Sequence, residues 1–235
     1  MPSVNVRAVL AAVVVVGCGA PAVQAGFPPL EVQWILDGSV VLDDLPFGVP
    51  SGTGGFRYDG GGTFGAVSMS YSLVGTPDPR ISSSFALQNF SLATVEVVLQ
   101  VTLPISPALL DSTSLTGSVA VGMTADDDGG TLAALAGIPF WQGLLDGIPV
   151  GGATDLLIGL NILIAGPGSP DGAEEGFFQV AGPSVLETIG IRISFSLTPG
   201  EQVSFTSVFD VVPGPGGLAV VLFAAVLTRR RRRSG

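Results

Sequence analysis

Apolar and polar residues alternate with a period of two along much of the middle of this 235-residue chain. The runs Val67-Ser68-Met69-Ser70-Tyr71-Ser72-Leu73 and Ile191-Arg192-Ile193-Ser194-Phe195-Ser196-Leu197 alternate throughout. Across residues 95–103, Val95, Val97, Leu99, Val101 and Leu103 fall on one face, and Glu96, Val98, Gln100 and Thr102 on the other. Successive side chains of a strand point to opposite faces, so these segments predict antiparallel strands with one face on a core and one on water. Less regular patterns predict further strands at 32–36, 85–92, 115–123, 156–164, 177–180 and 203–212. Turn signals separate them: a glycine-rich loop at 52–62, Thr76-Pro77-Asp78-Pro79, the stretches 126–130 and 166–172, and Thr198-Pro199-Gly200-Glu201. The exception is 131–147, where Ala and Leu predict one short helix broken by Pro139. About nine short strands at this spacing predict a single antiparallel β-sandwich over residues 26–211, with a jelly roll among the topologies allowed. No internal repeat and no domain boundary interrupts it.

Both ends break this rhythm. Residues 8–16 (AVLAAVVVV) form an unbroken apolar run after a short segment carrying Arg7. That is the length of a signal-peptide core and too short to span a bilayer. Val23-Gln24-Ala25 places compact residues before a cleavage point, so residues 1–25 are expected to be a signal peptide removed after Ala25. Val15-Val16-Gly17-Cys18 offers a competing site, since it loosely resembles a lipobox whose cysteine becomes lipidated. At the other end, Val212-Pro213-Gly214-Pro215-Gly216-Gly217 precedes an apolar run at 218–227 and then Arg229, Arg230, Arg231, Arg232 and Arg233. The apolar run falls well short of the roughly 20 residues a stable span needs. The arginines would hold the C-terminus in the cytoplasm and halt translocation. A tail held transiently in the inner membrane by residues 217–228 and then processed is the expectation; a simple C-terminal membrane anchor is the alternative.

Composition agrees with a folded, turn-rich domain. Apolar residues make up 47% of the chain, too many for a disordered one. The 34 Gly and 18 Pro show no collagen-like period, so they read as turns between strands. The domain between the two ends is long enough to bury a core without disulfides, and it contains no cysteine. Its charge is one-sided: Arg57, Arg80 and Arg192 face nineteen acidic residues, a net of −16. Such a surface repels nucleic acid and attracts cations, so no nucleic-acid partner is expected.

The chain has no His and no Lys, and its single cysteine is Cys18. A Ser–His triad, a Cys nucleophile in the domain, a Schiff base and a His-ligated zinc are therefore excluded. Gly60-Gly61-Gly62 is not followed by a Lys or a helix signal, so it is no phosphate loop. A carboxylate pair of the glycosidase kind remains formally open, but no spacing singles one out. The expectation is a protein with no catalytic residues. The one acidic cluster is Asp126-Asp127-Asp128-Gly129-Gly130. Hard oxygens in a glycine-containing loop suit calcium, so Asp126, Asp127 and Asp128 are the candidate ligands, although the spacing is not that of an EF-hand. An ordinary solvated turn explains the same residues. Asn89-Phe90-Ser91 fits a glycosylation sequon. Trp34, Tyr58, Tyr71 and Trp141 are too scattered for a sugar-binding platform and read as core or partly buried.

The order of a short Pro-rich motif, an apolar helix-length run and an arginine block resembles the PEP-CTERM sorting signal over residues 212–235. Val212-Pro213-Gly214-Pro215 keeps the Val and both prolines of the usual Val-Pro-Glu-Pro and departs from it at Gly214. The hairpin-like stretch 194–207 is similar to the last hairpin of many such proteins. The resemblance implies an exported protein handed to an exosortase-like sorting protease, displayed at the cell surface or released, and associated with exopolysaccharide and biofilm matrix. It implies no activity for the central domain. A structural, non-enzymatic matrix role leads, with a carbohydrate-binding module as the alternative.

Overall fold

The computed structural model describes residues 29–51, 54–76, 78–166 and 170–214. In chain order its strands are β1 (Glu31–Leu36), β2 (Ser39–Asp44), β3 (Val49–Pro50), β4 (Phe56–Phe64), β5 (Val67–Thr76), β6 (Arg80–Asn89), β7 (Val95–Pro104) and β8 (Thr113–Thr124). They continue with β9 (Gly130–Ala134), β10 (Trp141–Leu145), β11 (Ile148–Pro149), β12 (Asp155–Leu156), β13 (Asn161–Ile164), β14 (Asp171–Gly182), β15 (Thr188–Leu197) and β16 (Gln202–Pro213). Two antiparallel sheets share them. The first runs β11-β10-β15-β7-β1-β2; β9 pairs with β15 beyond the end of β10, β13 lies beside β9, and β12 beside β10. The second runs β14-β8-β16-β6-β5-β4-β3.

The alternation read from the sequence is the alternation of burial. Val67, Met69, Tyr71 and Leu73 of β5 are buried while Ser70 is exposed and Ser68 and Ser72 are half-buried. In β7, Val95, Val97, Leu99, Val101 and Leu103 all face the core. Where the two sheets meet, aromatic rings interdigitate. Phe205 packs on Phe85 at 5.0 Å, on Phe195 at 5.9 Å and on Phe140 at 6.0 Å between ring centroids. Trp34 stands edge-on to Phe85 at 5.9 Å, and Trp141 edge-on to Phe209 at 5.7 Å. Such offset and edge contacts add to the burial of large apolar area. Trp34, Trp141, Tyr58 and Tyr71 are all buried, which removes them as a surface platform for sugars.

The strands β2, β3 and β11 were not expected, and β14 begins inside the expected turn at 166–172 and runs beyond 177–180. Three further segments differ from the sequence expectation. The short helix expected at 131–147 is absent: β9 and β10 occupy that stretch, and both pair with β15 (Leu132 opposite Leu197, Trp141 opposite Ile193). A helix there would be interrupted by Gly137, Pro139 and Gly143, and so would lack the length that cooperative helix formation needs. The pairing with β15 instead buries Leu132, Trp141, Leu144 and Leu145. Part of the expected glycine-rich loop at 52–62 is also strand, because β4 carries Gly60, Gly61 and Gly62 opposite Tyr71, Ser70 and Met69. Glycine is required there: a Cβ on Gly60 would strike the Tyr71 ring, and one on Gly61 the Met69 backbone. Finally, the single strand expected at 156–164 is two short ones, β12 and β13.

Candidate functional site

The inward faces of β5, β6, β8 and β16 carry the core, so the period-two rule gives their outward faces to solvent. Serine and threonine fill about half of those outward positions, and small Ala and Gly several more. Register aligns them into rungs across the sheet. Ser72 lies opposite Ser84, Ser84 opposite Thr206, and Thr206 opposite Ala120. The next rung runs Ser70, Ala86, Ser204 and Gly122. On the other side, Ser82 lies opposite Val208, and Val208 opposite Ser118. A shallow groove crosses this face, with Ser82, Ser118, Thr206 and Val208 in its floor and Glu174 of β14 on its flank. Neighbouring strands are about 4.8 Å apart, so the hydroxyls form a regular grid, each able to donate and accept. Charge is confined to the margins. Arg57 and Asp59 form an exposed ion pair of 2.8 Å on β4. The Ser72 hydroxyl, aided by the weaker pull of Arg57, holds the Asp59 carboxyl below its ordinary range against the push from desolvation. At one end Arg80 lies opposite Asp210, whose carboxyl is raised by burial more than Arg80 lowers it.

Asp126, Asp127 and Asp128 lie in the turn from β8 to β9, all exposed. The Asp128 N–H donates to Asp126 Oδ1 at 3.0 Å, a local turn bond of the kind Asp commonly makes. Among the described residues, no three His, Cys, Asp or Glu side chains converge to hold a metal ion. The acidic residue that sequence reasoning missed is Glu201, in the adjoining turn from β15 to β16. It is completely buried, with only the Asp126 backbone N–H beside its carboxylate. Its only sequence signal was its place after Pro199-Gly200, which marks the turn but not the burial.

Of the expected sorting motif, Val212 and Pro213 close β16, paired with Ser114 and Thr113 of β8. The Gly214 N–H donates to the Ser112 carbonyl at 2.8 Å, and a Cβ there would come within 2.6 Å of that oxygen. The residue that departs from the usual motif thus sits where only glycine fits without a shift. Pro215, Arg229, Arg230, Arg231, Arg232 and Arg233 lie outside the described residues, as do the apolar run 218–227, the signal region and Cys18. Among the described residues, no helix is long and apolar enough to cross a membrane.

The fold and this surface define an antiparallel β-sandwich with a hydroxylated outer face. No protein-family model matches the chain. No curated protein matches it. Among solved structures, it is similar to a carbohydrate-binding module, TmCBM61, in complex with β-1,4-galactotriose: 13% identity, a TM-score of 0.27, covering 67% of this chain and 88% of that one. It is also similar to a chain in a structure of infectious bursal disease virus, Gx strain: 11% identity, a TM-score of 0.29, covering 80% of this chain and 52% of that one.

Proposed function

We propose that this chain is an exported, non-enzymatic surface or matrix protein that meets neutral exopolysaccharide with the outer face of its second sheet. The observation that carries this reading is the grid of serine and threonine hydroxyls from β5 to β8, uncharged at its centre within a domain of net charge −16. A neutral glycan offers hydroxyls of its own and meets charge only at the β14 flank of the groove, at Glu174 and Glu175, whereas a polyanion would be opposed by the acidic domain. Delivery rests on the tail: a processed PEP-CTERM-like segment, cut near residues 213–215 by an exosortase-like protease after transient anchoring. The chain leaves the sandwich from the end of β16, a central strand of the sheet that carries the grid.

Co-sedimentation with neutral exopolysaccharide tests the glycan half. Thr206→Arg with Ser70→Arg places two long charged side chains on exposed positions of the grid that do not face each other. Binding should weaken at least about tenfold with little change in melting temperature, since surface substitutions of this kind usually move stability by under about 0.5 kcal/mol. Unchanged binding by the double variant would sink the reading. A second reading, a carbohydrate-binding module that stacks sugars on aromatic rings, takes its support from Phe178, which is 75% exposed on β14 two positions beyond the groove residue Gly176. Phe178→Ala should leave binding intact if the hydroxyl grid carries it, and abolish binding if stacking does.

A further inference from the structure

The two turns at one end of the sandwich are held together. The Thr131 N–H donates to Thr198 Oγ1 at 2.8 Å, and the Thr198 N–H to the Thr131 carbonyl at 3.1 Å. The end of β6 joins them, with the Asn89 N–H donating to the Glu201 carbonyl and the Gly200 N–H to the Asn89 carbonyl. The Glu201 side chain lies in the space this makes. It rests over Gly130, where a Cβ would collide with Glu201 Oε1; Asp126 Oδ2 lies over Gly200, where a Cβ would collide with it in turn. Two glycines thus leave room for two carboxylates, one a covered floor and the other an exposed rim.

This arrangement is costly as it stands. A buried carboxylate with no counter-charge, and with only the Asp126 backbone N–H beside it, is strongly unfavourable. The described arginines are engaged elsewhere: Arg57 with Asp59, Arg80 opposite Asp210, and Arg192 with Gln100. Burial, and then the neighbouring Asp126 carboxylate, push the Glu201 carboxyl above its ordinary range, opposed only by the Asp126 backbone N–H. Asp126 Oδ1 is used by the Asp128 N–H, while Oδ2 lies over Gly200, next to Glu201 in the chain. Two adjacent carboxylates, one of them buried without a counter-charge, call for a hard cation.

We infer that Glu201 and Asp126 form a binding site for one divalent cation of the calcium class, with Glu201 as the buried ligand, and that Asp127 and Asp128 are not its ligands. Calcium takes six to eight oxygens at flexible geometry, so backbone carbonyls and water complete the shell around two carboxylates. The bound ion would join the turns β8–β9 and β15–β16, and through them both sheets, at one end of the sandwich. On the export proposed above, the chain would meet calcium at concentrations that suit such a site.

The test uses the full chain in detergent, freed of metal by chelation. Calcium is titrated by calorimetry, magnesium serves as comparator, and thermal unfolding is followed with and without calcium. One calcium per chain is expected, with a rise in melting temperature of about 5–10 °C at a hundredfold excess over Kd. Glu201→Gln and Asp126→Asn should each weaken binding at least about tenfold and remove the shift. Glu201→Gln should not melt below the calcium-free parent at neutral pH, because a neutral amide replaces an uncompensated charge; this separates lost binding from lost folding. Asp127→Asn with Asp128→Asn should bind within about threefold of the parent. No calcium response in the parent chain would overturn the inference, as would retained binding in Glu201→Gln or loss confined to the Asp127 and Asp128 variant.

Discussion

Phe205→Ala should destabilise the domain by about 3–5 kcal/mol, read as a lowered denaturant midpoint with an unchanged slope. Phe205 makes more ring contacts than its neighbours at the junction of the two sheets. It extends from β16 of the second sheet, touches Phe85 of the same sheet, and crosses to Phe195 of the first sheet and to Phe140 just before β10. Removing it leaves three rings without a shared neighbour in an interior too rigid to close the gap. A domain of ordinary stability has only about 5–15 kcal/mol in total, so the variant approaches the threshold of folding. Phe47, with 87% of its surface exposed, supplies the control, and Phe47→Ala should change stability by less than about 0.5 kcal/mol. A loss under about 1 kcal/mol for Phe205→Ala would mean that the sheets do not pack through this cluster.

The second large effect belongs to Asp146. It begins the two-residue turn between β10 and β11 with φ 50°, followed by Gly147 at φ 77°. Positive φ at both central positions is the type I′ hairpin turn, for which Asp-Gly is a favoured pair. The side chain has a second task. Its carboxylate accepts hydrogen bonds from the N–H groups of Leu186 at 3.0 Å, Glu187 at 2.8 Å and Thr188 at 3.0 Å, fixing the approach to β15. Burial pushes this carboxyl up, but those three backbone donors outweigh it and hold it below its ordinary range. Asp146→Ala should cost about 2–3 kcal/mol, from lost bonds to a charged acceptor and an unfavourable φ. Asp146→Asn keeps the turn and part of the bonding, and should cost less. The pH dependence has a definite sign. A carboxyl whose native pKa is depressed adds stability that is fully present above the unfolded value of about 3.9 and is lost as pH falls through the lower native value. The gap between the parent and Asp146→Ala should therefore be constant near neutrality and narrow below about pH 4. A gap that widened on acidification would contradict the geometry.

Much of the sandwich was legible because β5 alternates in both sequence and burial, and β7 and β15 depart from the period-two rule only locally, at Val98 in the sequence of one and at the buried Gly190 and Ser194 of the other. The boundaries of β6 and β16 shifted because Arg80 and Gln202 pair in the sheet although polar residues carry no alternation signal. The segment 131–147 misled for a different reason. Its alanines and leucines favour a helix locally, and only the distant β15 supplies the partners that make it strand. Asp37-Gly38 and Asp146-Gly147 were readable hairpin signals that mark β1–β2 and β10–β11, with φ values of 48° and 76° at the first pair. The candidate site was harder to see. A hydroxyl grid exists only once register sets Ser72, Ser84 and Thr206 side by side, and register is a property of pairing between strands. Glu201 was invisible because burial of a single carboxylate in a turn has no local pattern. The three aspartates drew attention because they are contiguous, yet only Asp126 lies against it.

The export account rests on both ends of the chain, and intact mass with terminal peptide mapping of the protein from its native host reads both together. The account predicts a chain that begins at Gly26 and ends near residues 213–215, without the apolar run 218–227 and without Arg229 to Arg233. Mature surface protein that still yields peptides from 218–227 would contradict the processed sorting signal and establish a simple anchor; a first residue of Met1 would contradict export itself.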